Sequence, residues 1–361
     1  MIRLHFSRRA RRSVLGGGLL FVAAAHLGCA GATSETTPVV APGPVVRAPD
    51  ASDPPLTSDE EAIRDRLARH VRVLATEIGE RHTNRVWELA SAAAYVALEF
   101  EELGYGVERM GEEVDGVALQ TLAVTVPGGA RGDQQLVIGA RYDSPRGSAG
   151  RGEAAATAAL LELARTLRGA RPSRAIRLVA FPLGAAEVDP SRRSGAHFVR
   201  DAVRVRSQFV ESSAIPSEPS REEDAAPTED LPPDVVGFLE LGRLDRFERD
   251  SAMRSVVRWG ASPGAADLAG LLVEGLEGAP LVAEEARWAE YDGESAHFEQ
   301  KNVPSVWLDG GAKPTSDAPS GRWDVDTLAR IVHRLRFGLA AFTGESATNG
   351  GMLTPDLPAV R

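Results

Sequence analysis

Leu136-Val137-Ile138-Gly139-Ala140-Arg141-Tyr142-Asp143-Ser144 opens as an unbroken apolar run and ends in charged and hydroxyl side chains. A strand with no alternating polar residue is one covered on both faces, as in a parallel sheet. Residues 154–167 follow with helical periodicity, and residues 175–181 form a second run of the same unbroken kind. Strand, helix and strand in this order make a right-handed crossover between parallel neighbours. Further strand-like runs lie at 119–126, 235–241 and 305–308, and further helical patterns at 84–103, 264–277 and 325–342. The expected fold class is α/β: a single domain over residues 58–344 with a central, mostly parallel mixed sheet flanked by helices.

Toward the N-terminus, Ser58-Asp59-Glu60-Glu61 has the form of a capping box. The helix it opens carries Ile63, Leu67, Val71 and Leu74 on one face, and Gly79 ends it. Residues 30–57 are rich in Pro, Thr, Val and Ala without helical periodicity and read as an extended tether. Before them, Arg3, Arg8, Arg9, Arg11 and Arg12 precede an apolar stretch that is too short to span a bilayer. Arg11-Arg12-Ser13-Val14-Leu15 resembles the twin-arginine export pattern. Leu27-Gly28-Cys29 resembles the site at which bacterial lipoproteins are cut and acylated, although His26 stands where an aliphatic residue is usual. Cys29 is the only cysteine of the chain, so it has no disulfide partner. Residues 1–28 are therefore expected to be an export signal and residues 29–57 a lipid-anchor cysteine with its tether, placing the domain in the bacterial cell envelope on the periplasmic side of the inner or outer membrane.

Residues 211–234 are acidic, Pro/Ser-rich and nearly free of large hydrophobic side chains, and are expected to be a disordered insertion. The tail, 345–361, is expected to be disordered as well. The formal charge is −10, and loss of the first 28 residues, with their five arginines and no acid, takes it to −15. Such a surface has no electrostatic footprint for nucleic acid.

The run ending at Ser144 also resembles a segment of the co-catalytic zinc aminopeptidases, the family of leucyl aminopeptidase, aminopeptidase S and the glutaminyl cyclases. In that family a strand ends in His-x-Asp and an Asp-Asn loop leads into a helix, here Ala159-Leu160-Leu161-Glu162-Leu163-Ala164-Arg165. The next strand, Ile176-Arg177-Leu178-Val179-Ala180-Phe181, is similar to the one that delivers the family's Glu-Glu pair. Ser194-Gly195-Ala196-His197-Phe198-Val199 is similar to the segment that follows, and Ile78-Gly79-Glu80-Arg81 to the join between the opening helices. The resemblance implies two zinc ions bridged by a carboxylate and a glutamate that takes a proton from the metal-bound water.

Carried onto this chain, the resemblance places its functional positions on residues that cannot perform the roles. The first histidine falls on Arg141, which cannot ligate a metal, while the aspartate that would orient it is retained as Asp143. The bridging aspartate falls on Gly152, with Glu153 in the neighbouring slot. The general base falls on Gly184 and the adjoining ligand on Ala185. The next carboxylate falls on Gly242 and the last histidine on Ser295. The implied reading is a non-catalytic member of the fold, with no cofactor, that binds or scaffolds a protein or peptide of the cell envelope. The alternative is an active hydrolase with zinc held by displaced ligands, drawn from Glu153, Glu187, Glu240 and His297. His197 and His333 read as residues of amphipathic helices. A serine hydrolase built on Ser144 or Ser295 lacks the Gly-x-Ser-x-Gly elbow. Arg141 is expected to turn toward Asp143 and to compensate its charge.

Overall fold

Strand β3 (Arg131–Arg141) is the axis of the sheet, and its alternation decides what lies on each side. Leu136, Ile138 and Ala140 enter the larger hydrophobic core, whereas Val137 points into a smaller aromatic one. In the computed structural model of the chain the described residues are 53–148, 150, 153–183, 189, 191, 193–200, 234–278, 280–311 and 323–344. The expected export signal, the anchor at Cys29, nearly all of the tether, residues 211–233 of the expected insertion and the tail lie outside them. Asp234, assigned above to the insertion, is instead the first residue of a strand.

The other strands are β1 (Glu108–Val114), β2 (Val117–Val126), β4 (Arg174–Phe181), β5 (Asp234–Leu241), β6 (Glu248–Arg249), β7 (Ser255–Ala261), β8 (Leu281–Glu285) and β9 (Ser305–Asp309). They join in the order β1-β2-β4-β3-β5-β9-β7-β6, with β8 added to β7. The four central strands, β4-β3-β5-β9, are mutually parallel. The flanks β1-β2-β4 and β9-β7-β6 are antiparallel. The sheet is thus mixed, and its parallel character is concentrated in the strands that the apolar runs announce.

Helices cover both faces. On the larger core lie α1 (Ser58–Arg72), α2 (Val86–Glu102), α3 (Ala154–Thr166), α5 (Ala266–Leu276) and α7 (Val325–Thr343). Residues 154–164 of α3 are all buried, because the helix packs against β3 on one side and α1 and α7 on the other. Its Glu162 is fully enclosed and satisfied by Arg66 at 2.8 Å and Arg165 at 3.3 Å, with His70 at 3.6 Å. A single π-helical turn, Val73–Ile78, continues α1 to Gly79. The N-cap of α1 is Thr57, whose hydroxyl pairs with Glu60, one residue before the expected Ser58 and Glu61. Among the described residues no helix is long and apolar enough to cross a membrane.

On the other face, α4 (residues 194–200) and α6 (Ser295–Glu299) close over the aromatic core. Phe238 stacks on Phe298 with centroids 3.8 Å apart, and Phe181 meets Phe198 and Phe238 edge-on. Gly139 lies beneath these rings: a Cβ there would stand 2.7 Å from Phe181 and 2.8 Å from Phe238. Gly139→Ala should therefore cost about 1–3 kcal/mol by overpacking, seen as a lower urea midpoint with an unchanged slope. A variant as stable as the wild type would show that the aromatic layer yields freely.

Candidate functional site

The residues that follow the aromatic core along its own face converge at the carboxyl ends of the parallel strands, where α/β sheets hold their ligands. On β3 that series is Val137, Gly139, Arg141; on β5 and beyond it is Phe238, Glu240, Gly242. Side chains two apart on a strand share a face, so Arg141 and Glu240 rise beside each other above the phenylalanines. Glu240 sits one step deeper than the Gly242 slot.

The loop after β3 is held by Arg81, which is fully buried. Its guanidinium donates to the carbonyls of Tyr142 at 2.7 Å, Leu74 and Gly79 at 2.6 Å, and Gly150 at 2.9 Å. Its backbone N–H donates to the Ser144 hydroxyl at 2.8 Å, and the Ser144 N–H returns to the Arg81 carbonyl at 2.6 Å. Ser144 is therefore structural. Gly150 has φ +74° and approaches so closely that a Cβ would stand 2.6 Å from the Ala75 carbonyl. Burial lowers the Arg81 pKa to about 10, against the pull of Asp143 and Glu153, so the group stays charged at neutral pH.

This loop delivers Glu153 to the start of α3. Its carbonyl begins the helix by accepting from Thr157 N–H at 2.9 Å, while its side chain turns inward. Arg141 Nη2 donates to Glu153 Oε1 at 2.6 Å, with both side chains more than nine-tenths buried. Glu153 is thus a partner of Arg141 that the sequence reading did not assign to it. Asp143 is buried nearby and adds to the field. Burial alone would lower the Arg141 pKa, but Glu153 foremost, then Tyr291, Asp143 and Glu240, outweigh it and hold the pKa well above its usual value. Burial pushes the Glu153 carboxyl up to about 7 despite Arg141.

The opposite wall comes from the segment before α6. Glu240 accepts from Ser295 N–H at 2.6 Å and from the Tyr291 hydroxyl at 3.1 Å. Tyr291 stacks on Trp307 at 4.9 Å and fills the space above Gly242, where a Cβ would stand 2.6 Å from its hydroxyl. Glu294 is fully buried and accepts from Gly195 N–H at 2.9 Å. Burial, reinforced by Glu240, raises its pKa to about 8. Arg193 forms a two-pronged bond with Asp292 at 2.5 and 2.9 Å, and Arg243 meets Asp309 at 3.3 Å.

Of the positions singled out by sequence, the structure brings together Arg141, Asp143, Glu153, Glu240, Gly242 and Ser295. Gly152, Gly184, Ala185 and Glu187 lie outside the described residues. His297 is buried on α6 near Arg193 and Asp292, with Nε2 lacking a hydrogen bond among the described residues. His197 and His333 stand apart on α4 and α7. Tyr291, Glu294, Arg193 and Asp309 are parts of the site that sequence reasoning missed. The only signal for Glu294 was its place next to Ser295.

No protein-family model matches the chain, and no curated protein does either. Solved structures do. A glutaminyl cyclase of Fimbriiglobus ruber superposes with a TM-score of 0.55 at 16% identity, covering 81% of this chain and 99% of that one. The LapA aminopeptidase of Legionella pneumophila gives 0.53 at 12%, covering 80% and 74%. A leucine aminopeptidase precursor of Bacteroides thetaiotaomicron gives 0.53 at 12%, covering 79% and 98%. The fold is that of the glutaminyl cyclases and zinc aminopeptidases.

The described residues do not fit the paired zinc ions that the sequence resemblance implies. Arg141, which the resemblance sets at the first histidine, is a permanent cation that engages Glu153, a tyrosine ring fills the space over Gly242, and Glu240 is spent on Ser295 and Tyr291. Among the described residues no group of three or more His, Cys, Asp or Glu side chains is arranged to hold a metal ion. What the cluster can do is hold protons and pair charges: Arg141 stands against Glu153, Glu240 and Glu294, two of which titrate near neutrality.

Two outcomes follow. A carboxyl with a raised folded pKa keeps its proton where the unfolded chain has lost it. Its contribution to stability is fullest below the unfolded value of 4.5 and is lost as pH rises through about 8 for Glu294. Glu294→Gln should remove that decline, gaining stability relative to wild type by on the order of a few kcal/mol between acid and pH 9. Parallel unfolding curves at all pH values would refute it. Arg141→Ala should cost about 3–5 kcal/mol at pH 8, where Glu153 loses the cation that lowers its pKa and must bind a proton or carry an unpaired charge. The loss should be smaller at pH 5.5, where Glu153 takes a proton. Equal losses at both values would exclude the ion pair as the cause.

Proposed function

We propose that this domain is a non-catalytic member of the zinc aminopeptidase fold, working as a binding or scaffolding lipoprotein of the bacterial envelope. The observation that carries this reading is the Arg141–Glu153 ion pair at 2.6 Å, set where the resemblance implies the first histidine and the residue next to the bridging aspartate. A guanidinium neither ligates a metal nor deprotonates at physiological pH. Next to a dication it adds repulsion in a medium that screens charge poorly. The Tyr291 ring over Gly242 supports the same reading by volume.

The expected result is that elemental analysis of the purified protein finds far less than one zinc per chain. Aminoacyl and glutaminyl substrates should show no turnover that a chelator abolishes. Near-stoichiometric zinc with chelator-sensitive turnover would replace this reading with a hydrolase using displaced ligands.

Anchoring through Cys29 is part of the proposal and rests on the sequence pattern around it. Labelled fatty acid should enter the wild type and not Cys29→Ser, and the variant should leave the membrane fraction. An unacylated wild type, or a variant that stays with the membrane, would remove the anchor from the reading.

A further inference from the structure

Strand β1, Glu108–Val114, ends the sheet, and among the described residues no strand pairs with its outer edge. Alternate residues of such an edge turn their N–H and C=O groups outward, ready to pair with another extended chain. A groove lies on each face of this edge. On the α4 side a cavity of about 430 Å³ is lined by Glu108, Met110, Glu112, Arg177, His197 and Phe198. On the α2 side a cavity of about 670 Å³ is lined by Gly111, Glu113, Ala90, Ala94, Leu119 and Tyr142. Glu108, Met110 and Glu112 share one face and Arg109, Gly111 and Glu113 the other, as the period of two requires.

The charges around the strand are unbalanced at one place. Arg177 is engaged by Glu108 at 2.6 Å and Arg109 by Glu101 at 2.9 Å. Glu112 has a side chain nine-tenths buried; Oε1 accepts from the Ser194 hydroxyl at 2.5 Å, and Oε2 has no hydrogen-bond partner. His197 Nδ1 is 3.8 Å from Glu112 but meets Arg200 at 2.9 Å. A ring nitrogen that accepts from Arg200 has no proton to give Glu112. Glu113 is exposed and meets no cation among the described residues. Two adjacent carboxylates, one on each face, thus have no Lys or Arg within ion-pair distance among the described residues, and each lines a groove with apolar side chains in its wall.

We propose that the outer edge of β1 accepts an extended, basic peptide segment as an additional strand, with adjacent Lys or Arg side chains reaching Glu112 on one face and Glu113 on the other. Consecutive residues of a strand point to opposite faces, so a dibasic pair matches this arrangement and a lone cation matches half of it. The aliphatic stems lie over Met110 and Phe198 on one side and over the alanines of α2 on the other, with the charged ends at the carboxylates. A second copy of this chain matches less well: an antiparallel pair centred on Gly111 sets Arg109 against Glu113 but leaves Glu112 opposite Met110 with no cation, and a parallel pair sets each glutamate against its like. Two strands, β2 and β4, separate this edge from β3, and it functions whether or not the Arg141 pocket takes a metal.

The test uses the full chain and labelled eight-residue peptides of Val and Thr with a central Lys-Lys pair, a Glu-Glu pair, or Lys-Lys with backbone N-methyl groups on either alternate set of residues. The Lys-Lys peptide should bind, and the Glu-Glu peptide should bind at least about tenfold more weakly. One N-methylated set, the one whose N–H groups face β1, should lose binding by a similar factor while the other keeps it. Glu113→Lys, at an exposed position, should abolish binding with the fold intact, and Glu112→Gln should weaken it. Hydrogen exchange should slow in β1 when the peptide is present. Absence of binding, equal binding of basic and acidic peptides, or indifference to both N-methylation patterns would overturn the proposal. So would displacement of the peptide by dimerisation of the chain through β1.

Discussion

A guanidinium removed from water costs several kcal/mol unless each of its donors finds an acceptor, and Arg81 and Arg141 are among the buried arginines placed under that demand. Arg81 meets it with backbone carbonyls drawn from the π-helical turn and from the loop after β3. The positions of those carbonyls are thereby fixed with respect to one another. Gly150 is among them, three residues before Glu153 at the start of α3. The second arginine, Arg141, then finds its acceptor there. One buried charge thus holds the loop that leads to the partner of a second.

The two solutions differ in what they leave behind. Carbonyls around Arg81 carry no net charge, so a positive charge remains in the interior and its pKa falls. Around Arg141 the partners are carboxylates, and the positive charge is held more firmly as a result. The carboxylates outnumber it, and the surplus is absorbed by proton uptake on Glu153 and Glu294. Beneath them the phenylalanine layer keeps water out and gives the cluster a rigid floor, which is why none of these groups can relax toward solvent.

The central part of this architecture was legible in the sequence because parallel strands and the buried helix between them are apolar without interruption. The antiparallel flanks were not. Strand β1, Glu-Arg-Met-Gly-Glu-Glu-Val, is mostly exposed and shows no apolar period, and β6 and β8 are short. At the start of α1, Thr57 and Ser58 each have a glutamate three residues ahead, so the pattern alone could not choose between them. In the site, the slots on β3 and β5 could be counted from the strands that carry them. Tyr291 and Glu294 could not, since they reach the pocket from a loop whose path no periodicity describes. Glu153 as a partner of Arg141 was not legible either: it arrives from the start of α3, and strand alternation describes only β3, which stops at Arg141 itself.

The packing of Tyr291 couples positions far apart in the chain. Its hydroxyl stands where a side chain at 242 would begin, its ring crowds position 293, and its hydrogen bond helps to satisfy Glu240. Replacing Gly242 first overfills the pocket; removing the ring first leaves a hole and an under-satisfied buried carboxylate. Substitutions at 240, 242, 291 and 293 are consequently epistatic, and the order in which they occur matters. For a chain that explores sequence one residue at a time, the filled pocket is a local optimum with raised ground on every side, and drift elsewhere in the domain does nothing to lower it.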